Sequence, residues 1–255
     1  MEYVRTAVAN AFGAPVFRVT ETDTTMEDAK ILAARGEADG TAVFADFQRR
    51  GRGRIEGRSW ESRIGDNLLC TVILRRKASP GFTLQVGLAV ARTFDSFLPE
   101  GAVTAIKWPN DVLFRGKKLS GILCENSGDI IAIGTGFNIG SRAFPEEISL
   151  KATSLALILD EKGLSVPSRE EVLERYLENL KRALIDDRWR EAVSEKLYRR
   201  GERIDFLSGD PGRHELITGV IDGIGSSGEL LFRPDERGRA GETGILRLFS
   251  GEFPY

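Results

Sequence analysis

Apolar and polar positions along this chain follow two different periods, and the switches between them mark out its elements. Thr41 to Phe47 and Leu68 to Leu74 are apolar or β-branched runs too short for helices, and they predict two core strands. Phe82, Val86, Leu88, Ala89, Ala91, Phe94 and Phe97 keep helical spacing up to the break at Pro99-Glu100-Gly101, and Val103 to Trp108 then predicts a further strand. Ile122 to Glu125 and Ile130 to Phe137 form a predicted hairpin through Ser127-Gly128-Asp129, while Val172, Leu173, Tyr176, Leu177, Leu180 and Leu184 define a long amphipathic helix. Met26 to Ala34 carries acids first and alanine-rich apolar spacing after; with the hydroxyls of Thr22 to Thr25 ahead of it, this predicts a capped helix, Thr25 and Asp28 forming a capping box.

After about Leu197 the pattern changes to short strands punctuated by Gly209-Asp210-Pro211-Gly212 and Gly225-Ser226-Ser227-Gly228. Regular turn spacing of that kind predicts a small antiparallel barrel, which makes the chain α+β, with units at 1–197 and 198–255. There is no internal repeat or low-complexity segment. A length of 255 residues with 41% hydrophobic content is ample for a buried core, and a net charge of −2 argues against a general nucleic-acid binder. Cys70 and Cys124 sit in apolar runs without CxxC spacing, so both are expected to be buried free thiols of a cytoplasmic protein, and no metal site is expected. The first residues lack an apolar signal core, and no apolar run approaches membrane-spanning length.

The stretch that carries chemistry is Gly51-Arg52-Gly53-Arg54-Ile55-Glu56-Gly57-Arg58-Ser59-Trp60, hung between the two predicted core strands. Glycine lets backbone N–H groups approach a ligand and arginine forks onto carboxylate or phosphate oxygens, so the loop suits anions; alone it is equally an arginine-glycine tract or a solvated turn. Two further signals follow in Lys107-Trp108-Pro109-Asn110-Asp111 and Lys117-Lys118-Leu119-Ser120-Gly121-Ile122-Leu123. Together these resemble the biotin protein ligases, which read GRGRxGRxW, KWPND and KxxGIL in that order. Gly134-Thr135-Gly136-Phe137-Asn138 is similar to the family's GxGxN strand, Ala152-Thr153-Ser154-Leu155 to its ATSL helix start, and Gly251-Glu252-Phe253 to part of its terminal barrel.

The resemblance implies a catalytic domain like those of class II aminoacyl-tRNA synthetases and of biotin and lipoate ligases, a mixed β-sheet flanked by helices, followed by an SH3-like barrel. It implies ATP-dependent attachment of biotin, through biotinyl-5′-AMP, to a lysine of a biotin carboxyl carrier protein, with Mg2+ entering with ATP. Lys107, Arg52 and Arg54 are then the expected catalytic group. Thr24, Thr25, Met26, Gln48, Gly51, Arg52, Gly53, Arg54, Lys107 and Gly121 are expected around biotin, and Arg54, Arg58, Trp60, Lys107, Asn110, Lys118 and Asn138 around ATP. The partner implied is the carrier domain of acetyl-CoA carboxylase or a related carboxylase, with no DNA or membrane partner, and the protein is expected as a monomer or homodimer. A chemistry built on positioning two anions explains why one histidine suffices, and His214, in a Pro/Gly-rich stretch, is expected at the surface.

The chain departs from the pattern at Ile55-Glu56, which lengthens the loop, at Arg49 and Arg50, which replace small residues, and at Met26, which stands where asparagine is common. The nearest alternative is a lipoate or octanoate ligase. A biotin-sensing regulator is the other, but only about twenty residues precede Thr24, too few for the N-terminal helix-turn-helix domain of that type.

Overall fold

A computed structural model describes residues 2–54, 60, 63–210, 214–235 and 244–253. Its first sheet has eight strands in the order β1-β2-β3-β4-β8-β7-β6-β5. These are β1 (Val4–Arg5), β2 (Val16–Thr22), β3 (Ala42–Gln48), β4 (Leu68–Leu74), β5 (Ala105–Lys107), β6 (Asp111–Phe114), β7 (Lys117–Ser127) and β8 (Ile130–Phe137). Only β2 and β3 run parallel, and the crossover between them carries helix α1 (Thr25–Ala34). The predicted strands and hairpin are present, the strand after Gly101 being shorter than expected. β1, β2 and β6 were not expected.

Strand alternation sorts the side chains onto two faces. Ala42, Phe44, Cys70, Val72, Ile131 and Ile133 point to the larger core beneath α2 (Phe82–Asp95) and α5 (Arg169–Ala183). Val43, Ala45, Ile73 and Ile130 point the other way and meet Ala29 and Leu32 of α1. Burying a leucine or phenylalanine in such layers stabilises by about 1.5–3 kcal/mol each, so the core can hold a site that is itself poorly packed. Asp46 anchors the start of α5, since Arg18 and Arg169 each place a guanidinium nitrogen 2.7 Å from its carboxylate.

The cap of α1 corrects the sequence expectation. Thr24 is the N-cap and accepts from the Met26 amide at 3.3 Å; Asp28 does not reach back to form a box. Instead Asp28 is 2% exposed and accepts the Tyr3 hydroxyl at 3.0 Å on Oδ1. Burial pushes its carboxyl above the usual range, outweighing the hydrogen bonds from Thr22 and Tyr3. A helix N-terminus favours an acid by about 0.3–1 kcal/mol, too little to reverse this. A folded-state pKa above the unfolded one means stability is lost as pH rises from the ordinary carboxylate value through the raised one. Asp28→Asn keeps the Tyr3 acceptor and is expected to melt at or above wild type at pH 7, with the gap closing near pH 4. A variant that melts several degrees lower at pH 7 would show that the charge itself stabilises the fold.

The second sheet is antiparallel in the order β12-β11-β10-β9-β13, comprising β9 (Arg203–Ser208), β10 (Glu215–Ile224), β11 (Leu230–Pro234), β12 (Leu246–Leu248) and β13 (Gly251–Glu252). Its two outermost strands, β12 and β13, are separated by only Phe249 and Ser250, so the sheet must curl until its edges meet, as a small barrel does. It is not a detached appendage: Ile204, Phe206, Phe232 and Phe253 belong to the same apolar cluster as Trp108 and Phe82, and Leu197 bridges to Ile106 on β5.

Candidate active site

Sheet register alone brings the sequence motifs together. Lys107 pairs with Asp111, Asp111 with Gly121, Gly121 with Gly136 and Gly136 with Leu69, so one row crosses β5, β6, β7, β8 and β4. Directly opposed residues of an antiparallel pair share a face, and this row lies on the α1 side of the sheet. From Lys107 to Gly136 is three strand spacings, about 14 Å at ~4.8 Å each, which suits an elongated ligand. Gly121, Gly134 and Gly136 leave the sheet bare there, and a cavity of about 590 Å³ stands above them.

Close contacts explain why these positions are glycine. A Cβ at Gly134 would stand 2.6 Å from the Met26 sulfur, and one at Gly136 or Gly121 would stand 2.6 or 2.9 Å from the Trp60 indole. Trp60 thus lies flat on the glycine floor, its amide bonded to the Gly51 carbonyl at 2.9 Å, with the Lys118 ammonium 5.5 Å from its ring. Among the described residues its buried indole N–H meets no acceptor.

One end of the cavity is a polar lane. Thr71 donates to the Thr25 hydroxyl at 2.8 Å, and the Thr25 amide and hydroxyl donate to Gln48 Oε1 at 2.8 and 2.9 Å. Two donors on Oε1 fix the Gln48 amide and leave Nε2 as a donor, while Thr24, whose oxygen already accepts from Met26, retains a hydroxyl proton. Such a set offers donors to the carbonyl oxygen of a planar polar head group. Met26 is the apolar wall beside it, where a polar residue was common in the resemblance.

The other end is cationic. Lys107 closes β5, and Lys118 pairs with Asp111 at 2.8 Å. Arg52 stands at the rim, 46% exposed, with Glu27 and Glu125 at 3.2 and 3.6 Å; exposed pairs of this kind contribute at most about 1 kcal/mol and yield readily to a ligand. Arg54 donates to the Gly251 carbonyl at 3.5 Å and so ties the glycine-arginine loop to the second sheet. Arg49 and Arg50 point away, toward Glu21 and Asp23, which explains how the chain tolerates them in place of small residues.

Of the expected site residues, Thr24, Thr25, Met26, Gln48, Arg52, Gly53, Arg54, Trp60, Lys107, Asn110, Lys118, Gly121 and Asn138 all line the cavity. Gly51 lies behind Trp60 rather than in the wall, and Arg58, with Ile55-Glu56, is outside the described residues. Asn110 and Asn138 use their amide donors on backbone: Asn110 on Ile122 at 3.0 Å, Asn138 on Thr153 at 3.0 Å and Lys118 at 3.3 Å. Both brace the loops that shape the cavity. Sequence reasoning missed Asp111, Tyr198 and Phe253 as cavity residues; the register of Asp111 between Lys107 and Gly121 is the one signal that a correct strand β6 would have supplied. Burial pushes the Cys124 thiol up to about 12 and the Cys70 thiol higher still, so neither is a nucleophile at neutral pH. His214 is not part of the cavity.

Residues 16–138 match the Biotin/lipoate A/B protein ligase family. The chain is 31% identical over 236 residues to a biotin–[acetyl-CoA-carboxylase] ligase of Paracoccus denitrificans, covering 84% of this chain and 92% of that one. With its counterpart from Mycobacterium tuberculosis the identity is 36% over 184 residues, 68% of this chain and 65% of the relative. Among solved structures, the biotin protein ligase from Aquifex aeolicus in complex with biotin and ATP superposes with a TM-score of 0.76 at 31% identity, covering 94% of this chain and 97% of that one. The chain belongs to the biotin protein ligases. It spans 45% of the Bacillus subtilis bifunctional ligase/repressor BirA, to which it is 38% identical over 149 residues.

Proposed function

We propose that this protein joins biotin to a carrier lysine in two steps. A biotin carboxylate oxygen attacks the α-phosphorus of MgATP, the α–β phosphoanhydride bond breaks, and pyrophosphate leaves. The neutral amine of the carrier lysine then attacks the acyl carbon, AMP departs with the bonding pair, and the amide loses a proton. No protein nucleophile is required, so the work is to hold anions together and to offset charge in the transition state.

The observation that carries this reading is the register row that sets a cationic end at Lys107 about 14 Å from Gly136, beside the polar lane of Thr24, Thr25 and Gln48, over a glycine floor. In that frame the ureido group of biotin faces Gln48 Nε2 and the threonine hydroxyls, and Met26 packs on its hydrocarbon ring. The carboxylate and α-phosphate meet Lys107, Arg52 and Arg54, and Trp60, Lys118, Asn110 and Asn138 surround the nucleotide. A bare lipoyl or octanoyl chain would leave the polar lane buried without partners, at a cost of about 1–3 kcal/mol per group, which favours biotin over those acids. Residues 198–255 act as a support for the nucleotide half, and the free thiols, Cys70 buried and Cys124 only half-buried where both were expected to be buried, suit a cytosolic protein. No helix among the described residues is long and apolar enough to cross a membrane.

Intact-mass measurement of a biotin carboxyl carrier domain mixed with the enzyme tests the proposal. A gain of one biotinyl group that requires both biotin and MgATP is expected. An unmodified carrier, with the enzyme folded and biotin present, would overturn it.

A further inference from the structure

We propose that Phe253, contributed by the second sheet, is a positioning residue for Lys107 and so helps to set the rate of adenylation; this rests on the role given to Lys107 above. The Lys107 ammonium lies over the Phe253 ring, 5.3 Å from its centroid. The ring is 4% exposed and cannot drift, because it stands edge-on to Phe206 at 5.4 Å and against Tyr198 at 5.7 Å. Phe206 also packs on Trp108 at 6.1 Å, and the Trp108 indole donates to the Gly228 carbonyl at 3.0 Å. The second sheet therefore grips both the backbone beside Lys107, through Trp108, and its side chain, through Phe253.

The chemistry gives this arrangement a purpose. A lysine has a flexible four-carbon stem, and at the end of β5 nothing in the strand itself dictates where the ammonium points. An aromatic face attracts a nearby cation through its quadrupole and so favours the ammonium positions that lie over the ring. Phe253 sits in the cavity wall, where partial desolvation strengthens this attraction.

Replacing Phe253 by 4-fluoro-, 3,5-difluoro- and 3,4,5-trifluorophenylalanine weakens the quadrupole stepwise at nearly constant shape, so packing against Phe206 and Tyr198 is retained. The single-turnover rate of biotinyl-adenylate formation is expected to fall in step with fluorination, by about tenfold at the third member, while biotin affinity and melting temperature stay at wild-type values. A rate that does not respond to fluorination, or one that falls only together with the melting temperature, would overturn the proposal. Lys107→Ala measured alongside separates the two claims: a flat series beside an inactive Lys107→Ala defeats Phe253 alone, whereas wild-type activity in Lys107→Ala defeats the role of Lys107 and this proposal with it.

Discussion

Lys107→Ala is expected to form biotinyl-adenylate at least two orders of magnitude more slowly than wild type, with an unchanged fold. The side chain closes the short strand β5 and lines the cavity wall, and the core residues Ile106 and Trp108 on either side hold the backbone whether or not the lysine is present. On the proposed mechanism the variant loses a cation placed where charge gathers in the transition state; removal of one preorganised partner of that kind costs about 3 kcal/mol, and each 1.36 kcal/mol is about tenfold in rate. Biotin affinity should change far less, because head-group recognition lies at the other end of the cavity. Biotin-dependent pyrophosphate release within about threefold of wild type would remove Lys107 from the mechanism.

Arg54→Gly is expected to make the adenylate and fail to keep it. On the proposed mechanism the acyl-adenylate is a reactive mixed anhydride that must be kept from water and stray amines until the carrier arrives, and a side chain covering it would supply that exclusion. Arg54 lines the cavity and reaches the Gly251 carbonyl of the second sheet, a link a glycine cannot make. Unrelated proteins mixed with the variant, biotin and ATP should then become labelled on lysine, severalfold above the wild-type background, as read by streptavidin blotting. Labelling equal to wild type despite normal adenylate synthesis would show that retention does not depend on Arg54.

How far the sequence revealed this site depended on the kind of signal each element carries. β3, β4 and β8 are predominantly apolar or β-branched and nearly all buried, and their limits were legible to within a residue or so. β2 was not, because Arg18, Thr20 and Glu21 break its pattern: it lies beside the short edge strand β1, and its burial follows no period of two. β6 is four residues between two turns, too short to show any period, yet it is the strand that places Asp111 between Lys107 and Gly121.

The hydroxyl-rich start of α1 pointed to both a cap and a polar cavity wall, and both are present: Thr24 caps the helix, Thr25 turns to Gln48, and both line the cavity. The capping-box expectation failed because the N-cap is Thr24, which puts Glu27 rather than Asp28 at the third helical position, and Asp28 bonds Tyr3 instead. Phe253 could be read only as part of a barrel motif. Its meeting with Lys107 depends on how the second sheet curls onto the first, which no local pattern encodes.

The central claim is that the glycine-floored cavity activates biotin in particular, and the most direct test is the acyl-adenylate itself. The protein is incubated with MgATP and pyrophosphatase together with either biotin or lipoate, quenched, and the nucleotide products are separated by mass. The account predicts biotinyl-5′-AMP with biotin and, with lipoate, a yield lower by at least about tenfold, since the polar lane of Thr24, Thr25 and Gln48 has no partner on a lipoyl chain. Lipoyl-adenylate formed as readily as biotinyl-adenylate, or no adenylate from biotin at all, would contradict it.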